Sequence, residues 1–163
     1  MNRVNCILKD NDFKIYQAKN QEREINRVFC HHDMNHLLDV CRVAWILNLE
    51  ENLGISKEII YAAGLLHDIG RWQEYDTGKD HAEVSSELAA PILQRCGFKD
   101  TESEEIIDAI ANHRNKEHKN NLNRIIYRSD KISRPCFCCN NRSLCKRFQK
   151  YCDNRQGDNE LEF

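Results

Sequence analysis

The chain has 163 residues, of which 40% are hydrophobic and 31% charged, a composition typical of one soluble domain with a single core. Its formal net charge of −2 argues against nucleic acid as a partner, because nucleic-acid-binding domains are usually basic. No apolar run approaches the ~18 residues that a membrane span requires, and the N-terminus lacks the apolar stretch of a signal peptide. We therefore expect a cytoplasmic protein with no membrane partner.

The pattern of apolar residues predicts an all-α protein. Only two prolines and six glycines interrupt the chain, and the apolar residues recur at helical spacing. We expect a single domain over residues 1–163, with its core at about 30–135. Capping residues and breakers place the predicted helices, in chain order, at 13–30, 35–50, 56–68, 80–95, 101–113 and 122–132.

Metal-binding residues interrupt the apolar faces of three predicted helices. His67 and Asp68 end an apolar helix, His36 lies on the buried face of its own helix, and Asp130 follows an apolar pair in the last helix. Burying an unpaired carboxylate is costly, and a bound divalent cation removes that cost. Mixed nitrogen and oxygen ligands suit iron, manganese, zinc or another borderline metal. Because helical bundles place such faces together, the pattern indicates one metal site.

Three segments resemble the motifs of the HD-domain superfamily, in the expected order. Residues 36–44 resemble its first motif, residues 63–70 (Ala-Gly-Leu-Leu-His-Asp-Ile-Gly) its signature, and residues 129–133 (Ser-Asp-Lys-Ile-Ser) its closing aspartate motif. The superfamily comprises helical proteins that are mostly metal-dependent phosphohydrolases. The resemblance therefore implies a helical HD-domain bundle that cleaves a nucleotide or dinucleotide phosphate ester or anhydride. By the same resemblance, one metal is held by His36, His67, Asp68 and Asp130.

Two more histidines, His81 and His113, match the subset of the superfamily that binds two metals. In that subset Asp68 would bridge the ions and orient a metal-activated hydroxide for attack on phosphorus. Lys131 and Arg114 adjoin two of the ligands, and with Asp68 they are our predicted catalytic residues. The sequence leaves open whether one or two divalent ions bind, and whether they are iron, manganese, zinc, cobalt, nickel or magnesium.

A second His-Asp pair, His32-Asp33, is an alternative to this assignment. His32 and His36 are spaced four residues apart and could chelate one metal from the same helical face. No apolar run precedes His32, however, whereas apolar residues follow His36 at the spacing of the superfamily's first motif. We therefore predict His36 as the ligand. His32, and Arg71 just after the signature, are predicted to bind substrate.

The cysteine-rich segment 136–152 carries five of the nine cysteines. Cys136 and Cys139 are separated by two residues, as in many structural zinc sites, and Cys145 and Cys152 could complete a set of four. Reduced thiols without a metal are the alternative expected in the cytosol, and an iron–sulfur cluster is a third reading. The superfamily motifs do not include these cysteines, so the resemblance does not decide between them.

Three classes of function follow from these patterns, the third being a redox or nucleic-acid protein that works through the cysteine segment. The first is a phosphohydrolase whose partner is a nucleotide or another phosphorylated small molecule. The second is a non-catalytic regulatory HD module that binds a metal or a nucleotide. The presence of all six predicted ligands favours the enzyme. The charged first helix could also form the interface of a homodimer.

Overall fold

The structure is a computed structural model that describes residues 1–145, and these residues form helices, turns and loops without a strand. The prediction of an all-α fold is therefore confirmed. The helices are α1 (Asn2–Lys9), α2 (Asn11–Glu24), α3 (Met34–Glu50), α4 (Lys57–Leu66), α5 (Arg71–Thr77), α6 (His81–Arg95), α7 (Asp100–Asn112) and α8 (Asn121–Ile132). Two 3₁₀ turns follow, at Cys136–Cys138 and Arg142–Leu144.

Four helices form the centre of the bundle. Helix α3 packs on α4, α4 on α7, α7 on α8, and α8 returns to α3, while α6 packs on α7 from outside this ring. Large, fully buried aliphatic side chains from these helices form the core: Leu37, Ile60, Leu65, Leu66, Ile92, Leu93, Ile106, Ile110 and Leu122. Removing this apolar surface from water supplies the main driving force for folding. It also buries the end of α4, where the His-Asp signature lies.

The predicted helix over residues 13–30 is wrong at both ends. Asp10 accepts hydrogen bonds from two backbone N–H groups of the first turn at 2.9 and 3.2 Å, so α2 begins at Asn11. Helix α2 ends at Glu24, whose buried carboxylate accepts the backbone N–H of His32 at 2.7 Å. The chain between these two residues is therefore a loop rather than the end of a helix.

Two helices were not predicted, and the start of α7 was misplaced. Helix α5 has no buried residue, so it carries no apolar periodicity that a sequence could show. Helix α1 was likewise absent from the predicted elements. The N-cap of α7 is Lys99 rather than Thr101, because Glu102 accepts the backbone N–H of Lys99 at 2.9 Å.

Within residues 1–145, no helix combines the length and the apolarity that are needed to cross a lipid bilayer.

Candidate metal centre

Six buried side chains from five parts of the bundle meet at one place, and all of them were predicted as ligands. Each is at most 8% exposed. They come from the first turn of α3, the residues that follow α4, the start of α6, the residue after α7 and the last turn of α8. They are His36, His67, Asp68, His81, His113 and Asp130.

The two carboxylate oxygens of Asp68 face different sets of histidines. Oδ2 lies 3.0 Å from Nε2 of His67 and 3.6 Å from Nε2 of His36. Oδ1 lies 3.1 Å from Nε2 of His81 and 3.7 Å from Nε2 of His113. The six side chains therefore form two ligand groups that share Asp68.

Asp130 completes the first of these groups. Its Oδ1 lies 3.2 Å from Nε2 of His36 and 3.9 Å from Nε2 of His67. The first group thus offers two histidines and two carboxylates, and the second offers two histidines and the shared carboxylate. Both sets suit a divalent metal that accepts nitrogen and oxygen ligands.

Hydrogen bonds from the far side of the rings turn the histidines toward the centre. Nδ1 of His67 lies 2.8 Å from the carbonyl oxygen of Gly64, and Nδ1 of His113 lies 2.6 Å from that of Ile110. A carbonyl only accepts, so each Nδ1 carries a proton and each Nε2 faces the centre, where it can bind an ion once it carries no proton. This is the arrangement that orients and strengthens histidine ligands at metal sites.

Two nitrogens at the centre lack the partner that buried polar atoms need. Nε2 of His36 and Nε2 of His67 are buried, and although carboxylate oxygens lie 3.2 and 3.0 Å away, neither nitrogen makes a well-aligned hydrogen bond among the described residues. Leaving such an atom unsatisfied is costly, and most buried polar atoms in proteins are paired. A divalent ion within the first ligand group would satisfy both, so the residues present fit a bound metal.

The charge on His67 is set by the same carboxylates. Burial alone would lower the pKa of His67, but the charges of Asp68 and Asp130 outweigh it and raise that pKa to about 10. Burial, together with the positive charge of His67, lowers the pKa of His113 to about 3. In the metal-free protein at neutral pH, His67 is therefore protonated and His113 is neutral.

Metal binding is consequently expected to release a proton from His67. Because its raised pKa lies above neutral pH, the proton must leave before Nε2 can bind an ion, so affinity rises with pH and levels off near the raised value. We expect the apparent affinity for Mn²⁺ to rise about tenfold per pH unit between about pH 7 and 8.5. Calorimetric titration in buffers of different protonation enthalpy measures the affinity and the number of protons released. His31→Gln, at the surface, is the control, and an affinity independent of pH would contradict the assignment.

His32 lies at the edge of the centre, outside both ligand groups. Its Nδ1 contacts the carboxylate of Glu24, and its Nε2 lies 4.0 Å from Oδ2 of Asp68. Burial lowers the pKa of His32 to about 4, so the ring is neutral at pH 7. The structure thus places His32 on the cavity wall, where the sequence predicted a substrate-binding residue.

Sequence reasoning missed Glu24, the residue that holds His32. The Glu24 carboxylate is 2% exposed and accepts the hydroxyl of Tyr75 at 2.6 Å in addition to the His32 backbone. Burial raises the pKa of Glu24, but its hydrogen bonds from His32 and Tyr75 outweigh this and lower it to about 2. In the sequence Glu24 stands among charged residues that resemble a solvated helix face, so no pattern marked it.

Asn20 is a second supporting residue that was missed. It is fully buried, its amide nitrogen donates to the carbonyl of Asp68 at 2.9 Å, and its amide oxygen accepts the backbone N–H of Trp72 at 2.7 Å. One side chain thus fixes both ends of the turn that follows the signature. Its position on the face of α2 that also carries Glu24 is the only signal that the sequence offered.

A polar cavity of about 200 Å³ opens at the centre, and five of its lining side chains are basic. They are Arg27, Arg71, Arg114, Lys131 and Arg134. Three of the five were predicted to act in catalysis or phosphate binding. The other two, from the loop after α2 and the residues after α8, were not assigned.

Each of the three basic side chains that the sequence analysis assigned a role contacts a carboxylate or a histidine. Nη1 of Arg71 lies 2.9 Å from Nδ1 of His81. Arg114 donates to Asp80 at 2.8 Å, and Nζ of Lys131 contacts the ligand carboxylate next to it. The predicted catalytic pair Lys131 and Arg114 therefore lies on the cavity wall, together with Arg71.

The cysteine segment contributes nothing to these two groups. Within residues 1–145, the side chains of Cys136, Cys139 and Cys145 do not form a group of three that is close enough to hold an ion. Cys152, the fourth predicted ligand, lies outside the described residues. The structural zinc site stays a prediction.

The sequence profile of the family described as "HD domain" matches residues 34–134, which include all six ligands of the centre. The chain belongs to the HD-domain family. The prediction from the three sequence motifs is thereby confirmed. This HD-domain protein is also similar to a protein of Clostridium beijerinckii described as uncharacterized, with 41% identity over 89% of this chain and 92% of that protein.

Further relatives of this HD-domain protein carry names that mention a reaction. Ribonuclease Y of Enterococcus faecalis is 36% identical over 80 residues, which are 49% of this chain and 14% of Ribonuclease Y. The crystal structure of a predicted HD superfamily hydrolase from an uncultured Thermotogales bacterium has a TM-score of 0.60 and 27% identity, covering 74% of this chain and 65% of that one. The HD-domain protein therefore belongs to the HD hydrolase superfamily, and the segment that it shares with Ribonuclease Y is a small part of that longer protein.

Proposed function

We propose that this HD-domain protein is a cytoplasmic metal-dependent phosphohydrolase that cleaves a phosphate ester or anhydride in a nucleotide or another phosphorylated small molecule. The observation that carries the proposal is the orientation of the Asp68 carboxylate, whose two oxygens each face a separate ligand group. A shared carboxylate is the arrangement that two-metal phosphatases and nucleases use.

The ligand set defines the chemistry that a metal would supply. When bound, divalent ions in such a site act as Lewis acids, which lower the pKa of coordinated water and neutralise charge on phosphoryl oxygens. His36, His67, Asp68 and Asp130 would hold one ion, and Asp68, His81 and His113 a second.

The residues of the cavity wall have roles that follow from their charge. Arg71, Arg114 and Lys131 would bind and orient phosphate oxygens, since guanidinium and ammonium groups form charge-assisted hydrogen bonds with them. The neutral ring of His32 would offer one more polar contact to the substrate. The cavity opens beside the six side chains, and its polar lining would admit a phosphate group.

A metal-by-substrate panel tests the proposal. Metal-free protein is reloaded separately with Mn²⁺, Fe²⁺, Co²⁺, Ni²⁺, Zn²⁺ or Mg²⁺ and incubated with nucleoside mono-, di- and triphosphates and dinucleoside polyphosphates. We expect phosphate or nucleotide release with at least one metal, and none without metal. If no combination gives hydrolysis while the metal binds, the regulatory module becomes the better explanation.

A phosphodiester of RNA is a second candidate substrate, favoured by the similarity to Ribonuclease Y. The aligned segment covers about half of this chain, and the chain's net charge of −2 offers no general attraction to a polyanion. A labelled single-stranded RNA added to the same panel separates the two candidates. Cleavage of the RNA, with no release from small nucleotides, would favour the second.

A further inference from the structure

The cavity beside Asp68 differs from an ordinary small-molecule pocket in size and lining. Its volume is about 200 Å³, whereas pockets that enclose a drug-sized ligand measure roughly 300–1,000 Å³ and are mainly apolar. All eleven lining residues are polar or charged. Phosphate groups can fill such a space, whereas a purine or another apolar group finds neither the room nor the surface to bury.

The charges of the lining exceed what one phosphate group would need. Two of its three carboxylates, Asp68 and Asp130, belong to the ligand groups, which leaves Glu74, together with Asp80 outside the lining, to face five basic side chains. A single phosphate monoester carries about two negative charges. A phosphate with a second one linked to it carries more charge and balances the lining better.

Arg27 is the basic residue whose contacts leave it most available to such a second phosphate. Its Nε donates to the carbonyl of Cys30 at 2.8 Å, and its Cζ lies 5.9 Å from the ring centre of Tyr75. Oε1 of Glu24 lies 3.8 Å from Nε of Arg27, and the same oxygen is already in contact with Nδ1 of His32. The terminal nitrogens of Arg27 have no hydrogen-bond partner among the described residues.

Arg134 differs from Arg27 because it is hydrogen-bonded to a residue of the first ligand group. Its Nη2 donates to Oδ1 of Asp130 at 2.7 Å, and its Nε donates to the carbonyl of the same residue at 3.0 Å. Its side chain is 16% exposed. Arg134 therefore supports a ligand, whereas Arg27 lines the cavity without contacting any of the six.

We propose that the cavity binds two linked phosphate groups, the reacting one at the six-ligand centre and the next one against Arg27. This rests on the proposed phosphohydrolase function and narrows its substrate to condensed phosphates, such as a nucleoside diphosphate or a longer chain. In the reaction, the oxygen of water forms a bond to one phosphorus and the bridging P–O bond breaks. The bridging oxygen leaves with the other phosphate, and the protons of water pass to the products and the solvent.

The test compares the binding of two non-hydrolysable probes to the Mn²⁺-loaded protein by calorimetry. Methylenediphosphonate mimics two linked phosphates, and methylphosphonate mimics one. We expect the first to bind at least ~10-fold more tightly to the wild type. Arg27→Gln should weaken its binding about 10- to 100-fold, the size of a lost charge-assisted hydrogen bond, and change methylphosphonate binding less than about 3-fold.

Two further variants control for charge and folding. Arg42→Gln removes an exposed arginine, 60% accessible and paired with Asp39, and should leave both affinities unchanged. Arg27→Lys keeps the charge but not the planar guanidinium, so it should recover part of the loss and shows the effect in a chain that retains its net charge. Thermal melts of the metal-loaded variants check that each is folded.

The outcomes separate this inference from the proposed function. Equal affinity of the wild type for both probes, or an equal loss for both in Arg27→Gln, would overturn the second phosphate site, even if the protein hydrolysed monoesters. Absence of hydrolysis in the metal-by-substrate panel would overturn the phosphohydrolase, even if diphosphonate binding depended on Arg27.

Discussion

Asp68→Asn is expected to lower the metal content to less than about one ion per chain and to reduce the rate of phosphate release at least ~100-fold. Loss of even a supporting partner of a ligand commonly costs 10- to 100-fold, and Asp68 is itself shared by both ligand groups. The amide keeps the shape of the side chain but removes the negative charge that faces four histidines. Elemental analysis of the metal and a phosphate-release assay measure the two effects.

A matched control makes the same change at the surface. Asp39 lies on α3, is 48% exposed and is paired with Arg42 at 2.9 Å. Asp39→Asn should leave metal content and rate unchanged. A fully loaded and fully active Asp68→Asn variant would show that the centre is not the metal site.

Gly70→Ala is expected to have the largest effect on stability, lowering the free energy of unfolding by about 1–3 kcal/mol, the cost of overpacking a filled interior. A Cβ at this position would lie 2.7 Å from the backbone nitrogen of Ser85 and 2.9 Å from Cβ of Val84. Both atoms are fixed to α6, so the helix itself must move. The backbone of Gly70 is not the obstacle, because its φ of −90° is open to any residue.

Movement of α6 would also separate the second ligand group. His81 is the first residue of α6, and its Nε2 lies 3.1 Å from Oδ1 of Asp68. The Gly70→Ala variant should therefore bind about one ion per chain, compared with the two ions that we propose for the wild type. Urea denaturation and metal stoichiometry test both effects.

Gly78→Ala serves as the comparison. A Cβ there meets no atom within 4 Å, but φ is +76°, so alanine should cost about 1–2 kcal/mol through the left-handed backbone alone. Metal content should not change. If Gly70→Ala retained both the wild-type stability and its full metal content, close packing of the signature turn on α6 would not be what places His81.

The sequence was sufficient to mark four of the six predicted ligands because each of them breaks a local pattern, whereas His81 and His113 were predicted from the family resemblance. His36 and Asp130 are polar residues on apolar helical faces, and the pair His67-Asp68 ends a strongly apolar helix. Such breaks are visible within a few residues of the chain. The all-α fold was predictable for the same reason, since helical periodicity is local.

The supporting side chains could not be predicted, because their roles depend on contacts between distant segments. Asn20 reaches the turn at Asp68, 48 residues away, and Glu24 holds Tyr75 from 51 residues away. Both stand in a helix whose composition looks solvent-exposed. The break of that helix at Glu24 was missed as well, since only the buried carboxylate explains it.

Asn20 and Glu24 lie N-terminal to the segment that matches the family, which matters for choosing a shorter fragment of the protein. The family match begins at residue 34, so all six ligands fall inside it and both of these side chains fall outside. A fragment trimmed to the family boundaries would contain all six predicted ligands but would lose the hydrogen bonds of Asn20 to the signature turn and of Glu24 to His32. The smallest unit that keeps these two supports therefore includes α2, which lies outside the residues that the family profile matches.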